Sequence, residues 1–432
     1  MMYSLGKLWK AKDLRKRVLF TLLFLAIYRI GAVIPVPGVN AQLLQSMAGK
    51  SPLIGILNTF SGGALYNFSI FSMSIYPYVT ASIVVQLLQM GVIKQWEDWS
   101  KEGETGRVKL NQWTRYLTVA LGLIQSVALT FSFSRQIGSG FITDPSLWTY
   151  AVIAITMTAG TTLLMWMGEQ ITDKGVGNGI SVIIFLSILS RVEVIIPQIY
   201  SNWFYAHPDQ LFLNIIKVVL LLVGLLLITT FIVFVQQAVR RIPVQYTRQQ
   251  IGMKVYGGQT THIPLKVNAA GVIPIIFATS VLFFPTIIAQ FFRGNKVADW
   301  IINVFTPTSH WFVGIEAVLI IAFTFFYAFI QINPQQLAEN MQKSSGYIVG
   351  IRPGKDTENY LVRLINRLSL IGGLFLAVIS VVPTFVASVT GLSGIVYYFA
   401  GTSLLIVVSV LLDTVKQLKG QMLQRSYKGF IR

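Results

Sequence analysis

The chain has no cysteine, only three histidines and few acids, 16 Asp and Glu against 34 Lys and Arg in 432 residues. Without cysteine there is no disulfide framework and no thiolate metal site. His207, His262 and His310 fall in separate loops, so no paired metal site or catalytic triad can be assembled from them. Charge of either sign is scarce. Charged residues make up 12% of the chain, against roughly 25% in soluble domains. Hydrophobic residues make up 54% and the mean hydropathy is +0.64, the composition of an integral membrane protein.

Ten apolar runs are long enough to cross about 30 Å of hydrocarbon. They lie near 18–36, 68–91, 114–133, 148–168, 179–197, 211–236, 270–292, 312–332, 370–389 and 394–412. Six basic residues precede the first run, which continues into Pro35-Val-Pro37 without a small-residue cleavage site, so no cleavable signal is expected. The loops alternate in charge. The N-terminus, the segments after spans two, six and eight, and the C-terminal tail hold most of the Lys and Arg, whereas the opposite loops hold only Lys50, Arg135, Arg191, Arg293 and Lys296. An even number of spans puts both termini on one side, and the positive-inside rule makes that side cytoplasmic. The basic excess is therefore mainly topological.

The stretch Ser51–Met90 does not read as a plain span. A short apolar piece, Leu53-Ile-Gly-Ile-Leu57, is too short to cross as a helix, and Gly62-Gly63 separates it from a long run that carries Pro77 in its first half. A half-element beside a Pro-interrupted span marks a water-filled or plugged cavity. Taken alone, the piece also fits an interfacial half-helix. The two halves of the chain hold five spans each, an odd number, so a structural repeat between them must be inverted. Pro77 and Val79 in span two match Pro274 and Ile276 in span seven. Gly179, Ser181 and Ile184 in span five match Gly401, Ser403 and Ile406 in span ten.

Chemistry inside the membrane is sparse. Arg29 lies well along span one, Glu316 near the outer end of span eight, and Glu169 and Asp413 at cytoplasmic ends. A secondary transporter with inverted repeats is the alternative on composition, but it generally needs a carboxylate or an unwound polar site near the midplane. Gly175-Val-Gly-Asn-Gly179 lacks the Lys-Ser/Thr of a phosphate loop and reads as a tight turn. No enzyme chemistry and no cofactor site is expected, so an energy source must lie in a partner. Two cytoplasmic loops, 236–269 and 333–369, exceed what topology requires and read as docking surfaces. In the first, Ile242-Pro-Val-Gln-Tyr and Lys254-Val-Tyr-Gly-Gly alternate as a small hairpin does.

Several motifs then carry a family resemblance. Ile34-Pro-Val-Pro-Gly-Val-Asn40, the run Gly168-Glu-Gln-Ile-Thr-Asp-Lys-Gly-Val-Gly-Asn-Gly-Ile-Ser181, Thr261-His-Ile-Pro-Leu-Lys-Val-Asn268, Ala270-Gly-Val-Ile-Pro274, Gly350-Ile-Arg-Pro-Gly354 and Gly401-Thr-Ser-Leu-Leu-Ile-Val407 resemble the SecY family in its bacterial branch, in order and along the whole chain. The resemblance implies an all-α polytopic membrane protein with ten transmembrane helices in two inverted five-helix pseudo-repeats that form an hourglass channel. It divides the chain into a cytoplasmic N-terminus (1–17), an N-terminal half (18–197), an external hinge loop (198–210), a C-terminal half (211–412) and a cytoplasmic tail (413–432).

The resemblance also implies site residues. The constriction would be a ring of Ile75, Val79, Ile180, Ile184, Ile276 and Ile406, with valine at 79 where isoleucine is common in the family. Branched aliphatics can close round a chain of any sequence and resist wetting; without the resemblance they would be ordinary helix packing. The plug would run through 53–64, with Leu53, Ile54, Ile56, Leu57, Phe60, Gly62 and Gly63, the glycines acting as a hinge. Thr80, Gln125, Thr279 and Ser280 would make polar contacts across a lateral gate between spans two and three and spans seven and eight, unless the hydroxyls bond back to their own helices. Arg352, with Arg240 and Arg241 behind it, would dock the SecA ATPase or the ribosome. Implied partners are SecE, SecG as an optional third subunit, signal peptides, unfolded preproteins and membrane lipids, including anionic ones. The implied location is the bacterial cytoplasmic membrane.

Overall fold

A computed structural model of the chain describes residues 12–47, 61–90, 92–138, 140–190, 192–205, 210–246, 249–251, 254–256, 260–292, 294–306, 309–390 and 401–428. Span one is the helix Lys12–Gly31, span two Tyr76–Leu88, span three Glu104–Ile137, span four Leu147–Lys174 and span five Gly179–Ser190. Span six is Leu211–Gln237, span seven Ile273–Phe291, span eight His310–Gln331, span nine Lys355–Thr390 and span ten Gly401–Lys428. Among the described residues, spans three, four, six, eight and nine are long and apolar enough to cross a membrane by themselves, and spans two, five and seven are shorter apolar helices.

Helix and apolar run do not coincide at the ends. Span one begins in the basic segment at Lys12, and spans three, nine and ten carry charged turns beyond their apolar parts. Outside hydrocarbon a helix needs no apolar surface to keep its backbone bonds, so charge there does not end it. Span five is described as helix over Gly179–Ser190, and beyond position 191 the chain is helical again over Val192–Ile199 and ends in a π-helical turn, Tyr200–Tyr205. Span two differs most. Helix was expected from Phe68, yet Ser61–Ile75 is a buried chain of turns. Ser72 Oγ lies 2.6 Å from the Ser69 carbonyl, Phe68 and Ser74 have φ of 40° and 49°, and Pro35 bridges to Ser69. Serine hydroxyls here compete with the helix for backbone partners.

The largest core cluster draws on every span but the third, from Phe24 and Tyr28 through Ile184 and Ile275 to Ile406 and Val410, and a second one packs Phe133 of span three and Ile153 of span four on Phe68. Span seven packs against spans two and three, and span ten against span five, so the two halves meet along two seams. Span six is different: its surface is largely exposed, with Leu220, Leu226, Leu227 and Phe234 each more than 65% accessible. Such a surface belongs against lipid or another apolar helix.

On the basic side the two long loops fold together. Strand β1 (Val239–Tyr246) pairs antiparallel with β4 (Thr260–Lys266), and β2 (Gln249–Ile251) with β3 (Lys254–Tyr256). The hairpin expected in this loop is therefore present, but Ile242–Gln245 pairs with 260–263 and not with Lys254-Val-Tyr. The pairing Ile242↔Ile263 turns both apolar faces the same way. The second loop adds β5 (Gly346–Ile348) on the other edge of β1, giving the order β4–β1–β5. Ile242, Val244, Leu265 and Ile348 pack on Ala338 and Met341 of the short helix Pro334–Lys343 and on Leu361 of span nine.

Candidate functional site

Spans two and seven present matching N-termini at the centre of the molecule. Ser74 and Gly271 both lie at positive φ, 49° and 66°. The next residues, Ile75 and Val272, cap the helices with nearly equal dihedrals, φ −96°, ψ 5° and φ −99°, ψ −8°. Pro77 and Pro274 then occupy the second helical position of each. Proline is tolerated there because first-turn N–H groups have no partner within the helix. Pro77 thus starts span two and does not interrupt it. Span five opens at Gly179, and span ten is described as helix from Gly401.

These four helices bring the six aliphatic candidates together. Ile75, Ile184 and Ile406 are buried, and Val79, Ile180 and Ile276 pack against the same cluster. A small cavity touches Ile75, Val79, Ile184 and Ile276, with Tyr76 and Thr279 beside them. Val272 lies in the cluster too. The sequence reading passed it over, although its offset from Pro274 is that of Ile75 from Pro77. The cavity's four aliphatic side chains offer branched methyl groups and no charge, a surface that holds ions poorly, and Ser74, Tyr76, Thr279 and Ser280 complete the wall.

Thr80, Gln125 and Ser280 line a second cavity, which continues to Tyr76 and Phe283, and Thr279 faces the first. The hydroxyls donate mainly within their own helices: Thr80 to Tyr76 O at 2.9 Å, Thr279 to Ile275 O at 3.0 Å and Ser280 to Ile276 O at 2.7 Å. The group that reaches across the seam is Tyr76. Its hydroxyl meets the Thr279 side chain, and its ring packs edge-on against Phe283 with centroids 6.3 Å apart. Sequence reasoning overlooked Tyr76, which adjoins Pro77 and resembles any interfacial aromatic. Below this, a cleft of about 590 Å³ runs between spans two, three and eight, lined by Gln86, Gln89, Arg107, Asn111 and Gln336 among others.

Glu316 lies near the His310 end of span eight, as its place in the sequence implies, and is turned into the protein. It is buried and accepts a hydrogen bond of 2.9 Å from Ser380 Oγ of span nine. Span eight therefore carries a buried carboxylate that a neighbouring helix holds.

Of the plug candidates, Leu53, Ile54, Ile56, Leu57 and Phe60 lie outside the described residues. Gly62 and Gly63 are described, with φ of 64° and 92°. Gly62 packs closely on span five: a Cβ there would come within 2.9 Å of Ser187 Cα. The pair is therefore one fixed residue followed by one open one, since a Cβ on Gly63 would meet nothing within 4 Å.

The basic candidates sit on the sheet platform. Arg240 and Arg241 are exposed on β1, opposite Leu265 and Pro264 of β4. Arg352 is exposed in the turn after β5, between Gly350 and Gly354, both at positive φ. Its carbonyl accepts a 2.8 Å bond from Thr357 Oγ1 at the start of span nine, which fixes the turn.

Comparison with known proteins places this architecture. The SecY family profile matches residues 69–415. The chain is 49% identical over 432 residues to the "Protein translocase subunit SecY" of Bacillus licheniformis, covering 100% of both chains. Its counterparts in Bacillus subtilis and Staphylococcus aureus are 48% identical over 432 residues and 44% identical over 430, with 100% of this chain covered in each and 100% and 99% of theirs. Among solved structures, the fold is similar to "The structure of a protein conducting channel", with a TM-score of 0.62 at 17% identity over 94% of this chain and 92% of that one. It is also similar to "Sec61 in the Canine ribosome-channel complex from the endoplasmic reticulum", with a TM-score of 0.59 at 15% identity over the same shares.

Proposed function

The chain belongs to the SecY family, and we propose that it is the protein-conducting subunit of a translocase that passes unfolded secretory polypeptides across the bacterial cytoplasmic membrane. The chain is a multi-pass membrane protein, with both termini read as cytoplasmic from its loop charges. The observation that carries the reading is the convergence of six aliphatic side chains from spans two, five, seven and ten on one cluster at the centre of two matched halves. Such a ring recognises no sequence. It fits a chain of any composition and dewets when the chain is gone.

Transport is vectorial only if something pushes. The platform built from the two basic loops is where SecA or a translating ribosome engages, with Arg352, Arg240 and Arg241 as the guanidinium groups offered to acidic protein or to phosphate. Signal peptides and apolar segments leave through the seam of spans two and three with seven and eight, where Tyr76, Thr80, Gln125, Thr279 and Ser280 gather. Apolar helices displace these weak polar contacts at little cost. The segment 53–64 stops the outer funnel at rest. SecE is the expected single-span helper, with SecG optional.

The test is reconstitution. The full chain with SecE in liposomes, given SecA, ATP and a secretory precursor, should render the precursor protease-protected. A correctly folded preparation that protected none would overturn the reading.

A further inference from the structure

At the end of span one farthest from Lys12, three side chains converge on two successive carbonyls. Tyr28 Oη donates to the Ser61 carbonyl at 3.0 Å and shares a 2.6 Å hydrogen bond with Ser187 Oγ. Arg29 Nη1 donates to the Gly62 carbonyl at 3.1 Å, while its Nη2 pairs with Glu193 Oε2 at 3.1 Å. Ser190 Oγ lies 3.1 Å from the same Gly62 carbonyl and 2.8 Å from that of Ser187. The donors belong to span one and to the end of span five, and the acceptors to the chain that leaves segment 53–60.

The acceptors are held for this contact. Gly62 takes φ of 64°, and its Cα approaches span five so closely that a Cβ would also lie 3.0 Å from Ser190 Oγ and 3.1 Å from Tyr28 Oη. Ser61 is 1% exposed, and its own Oγ accepts from the N–H of Leu65. Beyond Gly62, the open Gly63 leads into the buried turns. The arrangement grips the backbone, so it imposes nothing on the side chains of the segment it holds. One arm ends in a fork between a carbonyl and an exposed carboxylate, and it can be released without breaking the core.

We infer that Tyr28, Arg29 and Ser190 are positioning residues for the plug: they clamp its root at Ser61 and Gly62 to the junction of spans one and five and set the tightness of the resting seal. This rests on reading 53–64 as the plug. Arg29 is the decisive arm, because a charge-assisted bond is stronger than a neutral one. Losing it should raise resting leak by roughly tenfold, the scale of one such bond.

The experiment measures ion conductance of the idle full-length channel, reconstituted with SecE in planar bilayers, for Arg29→Ala, Arg29→Lys, Ser190→Ala and a deletion of 53–60, with melting temperature followed in parallel. The expected result is a leaky deletion, a leaky Arg29→Ala, a smaller leak in Ser190→Ala, and partial recovery in Arg29→Lys, which restores one donor. A leaky deletion with tight Arg29→Ala and Ser190→Ala overturns the clamp and leaves the plug reading standing. A tight deletion overturns both. Equal leak in Arg29→Ala and Arg29→Lys, tracking a fall in melting temperature, would make Arg29 a structural residue and overturn its positioning role.

Discussion

Gln417 Oε1, in span ten, accepts the backbone N–H of Gly177 at 2.6 Å, in the turn that joins spans four and five. The bond links the two halves of the molecule far from the seam at Tyr76. The same turn is held from the other side, where the N–H of Val176 donates to Thr21 Oγ1 of span one at 3.0 Å. Gly177 has φ of 86°, and a Cβ there would press on Thr414 at 3.0 Å, so the turn and span ten sit in direct contact.

Gln417→Ala removes that link while leaving the turn's bond to Thr21. The closed arrangement should lose about 1 kcal/mol, the net worth of a neutral hydrogen bond. The measurement is transport of a precursor with a weakened signal sequence, which should rise relative to the native precursor. Unchanged discrimination would show that the two halves are held elsewhere.

Tyr76→Phe keeps the edge-on packing against Phe283 and deletes the hydroxyl that meets Thr279. The seam should favour its open form by roughly fivefold, equivalent to about 1 kcal/mol. Cysteine pairs placed on spans two and seven would report this as slower crosslinking of the resting channel. The cysteine-free parent chain makes the labelling clean.

Ile406 is 1% exposed in the central cluster. Ile406→Ala should destabilise the protein by about 2–4 kcal/mol through lost burial and the cavity left behind. It should also raise idle ion conductance, because a wider and less branched wall wets more readily. A variant that melted earlier but stayed as tight as the parent would move Ile406 from the ring to plain packing.

Much of this was legible from residue order, and the exceptions have physical reasons. Hydropathy located the helices, and Pro77 with Pro274 disclosed the pairing of spans two and seven. Hydropathy could not say that Phe68–Ile75 turns, because burial there is the same for a turn as for a helix. The informative signal was the serines at 69 and 72, whose hydroxyls capture nearby backbone groups. Strand β5 was illegible for a different reason. Gly346–Ile348 is three residues long, and its partner lies about a hundred positions earlier, so no local pattern could reveal it. That Glu316 turns inward was illegible because Ser380, the group that holds it, comes from another span.

Arg352→Glu should abolish SecA-driven transport while leaving assembly and melting unchanged. The side chain is exposed, and the turn is fixed by Thr357 bonding to its carbonyl, not to its guanidinium. Reversal of a docking charge costs roughly 2 kcal/mol or more, at least a tenfold loss of SecA affinity. Native affinity in the variant would remove Arg352 from the docking surface.

The sheet order β4–β1–β5 makes the two loops one mechanical body. A load applied anywhere on β1 passes through the ladder from Val239↔Lys266 to Gln245↔Thr260 and arrives at the head of span seven. The same load crosses Val244↔Ile348 to the segment between spans eight and nine. Because β1 itself continues from span six, four consecutive helices feel a single push together, as spokes feel a turn of the hub. Under the proposed function, a motor gripping this surface would need only to tilt the plate, and the ladder would deliver the torque to span seven, one wall of the proposed gate.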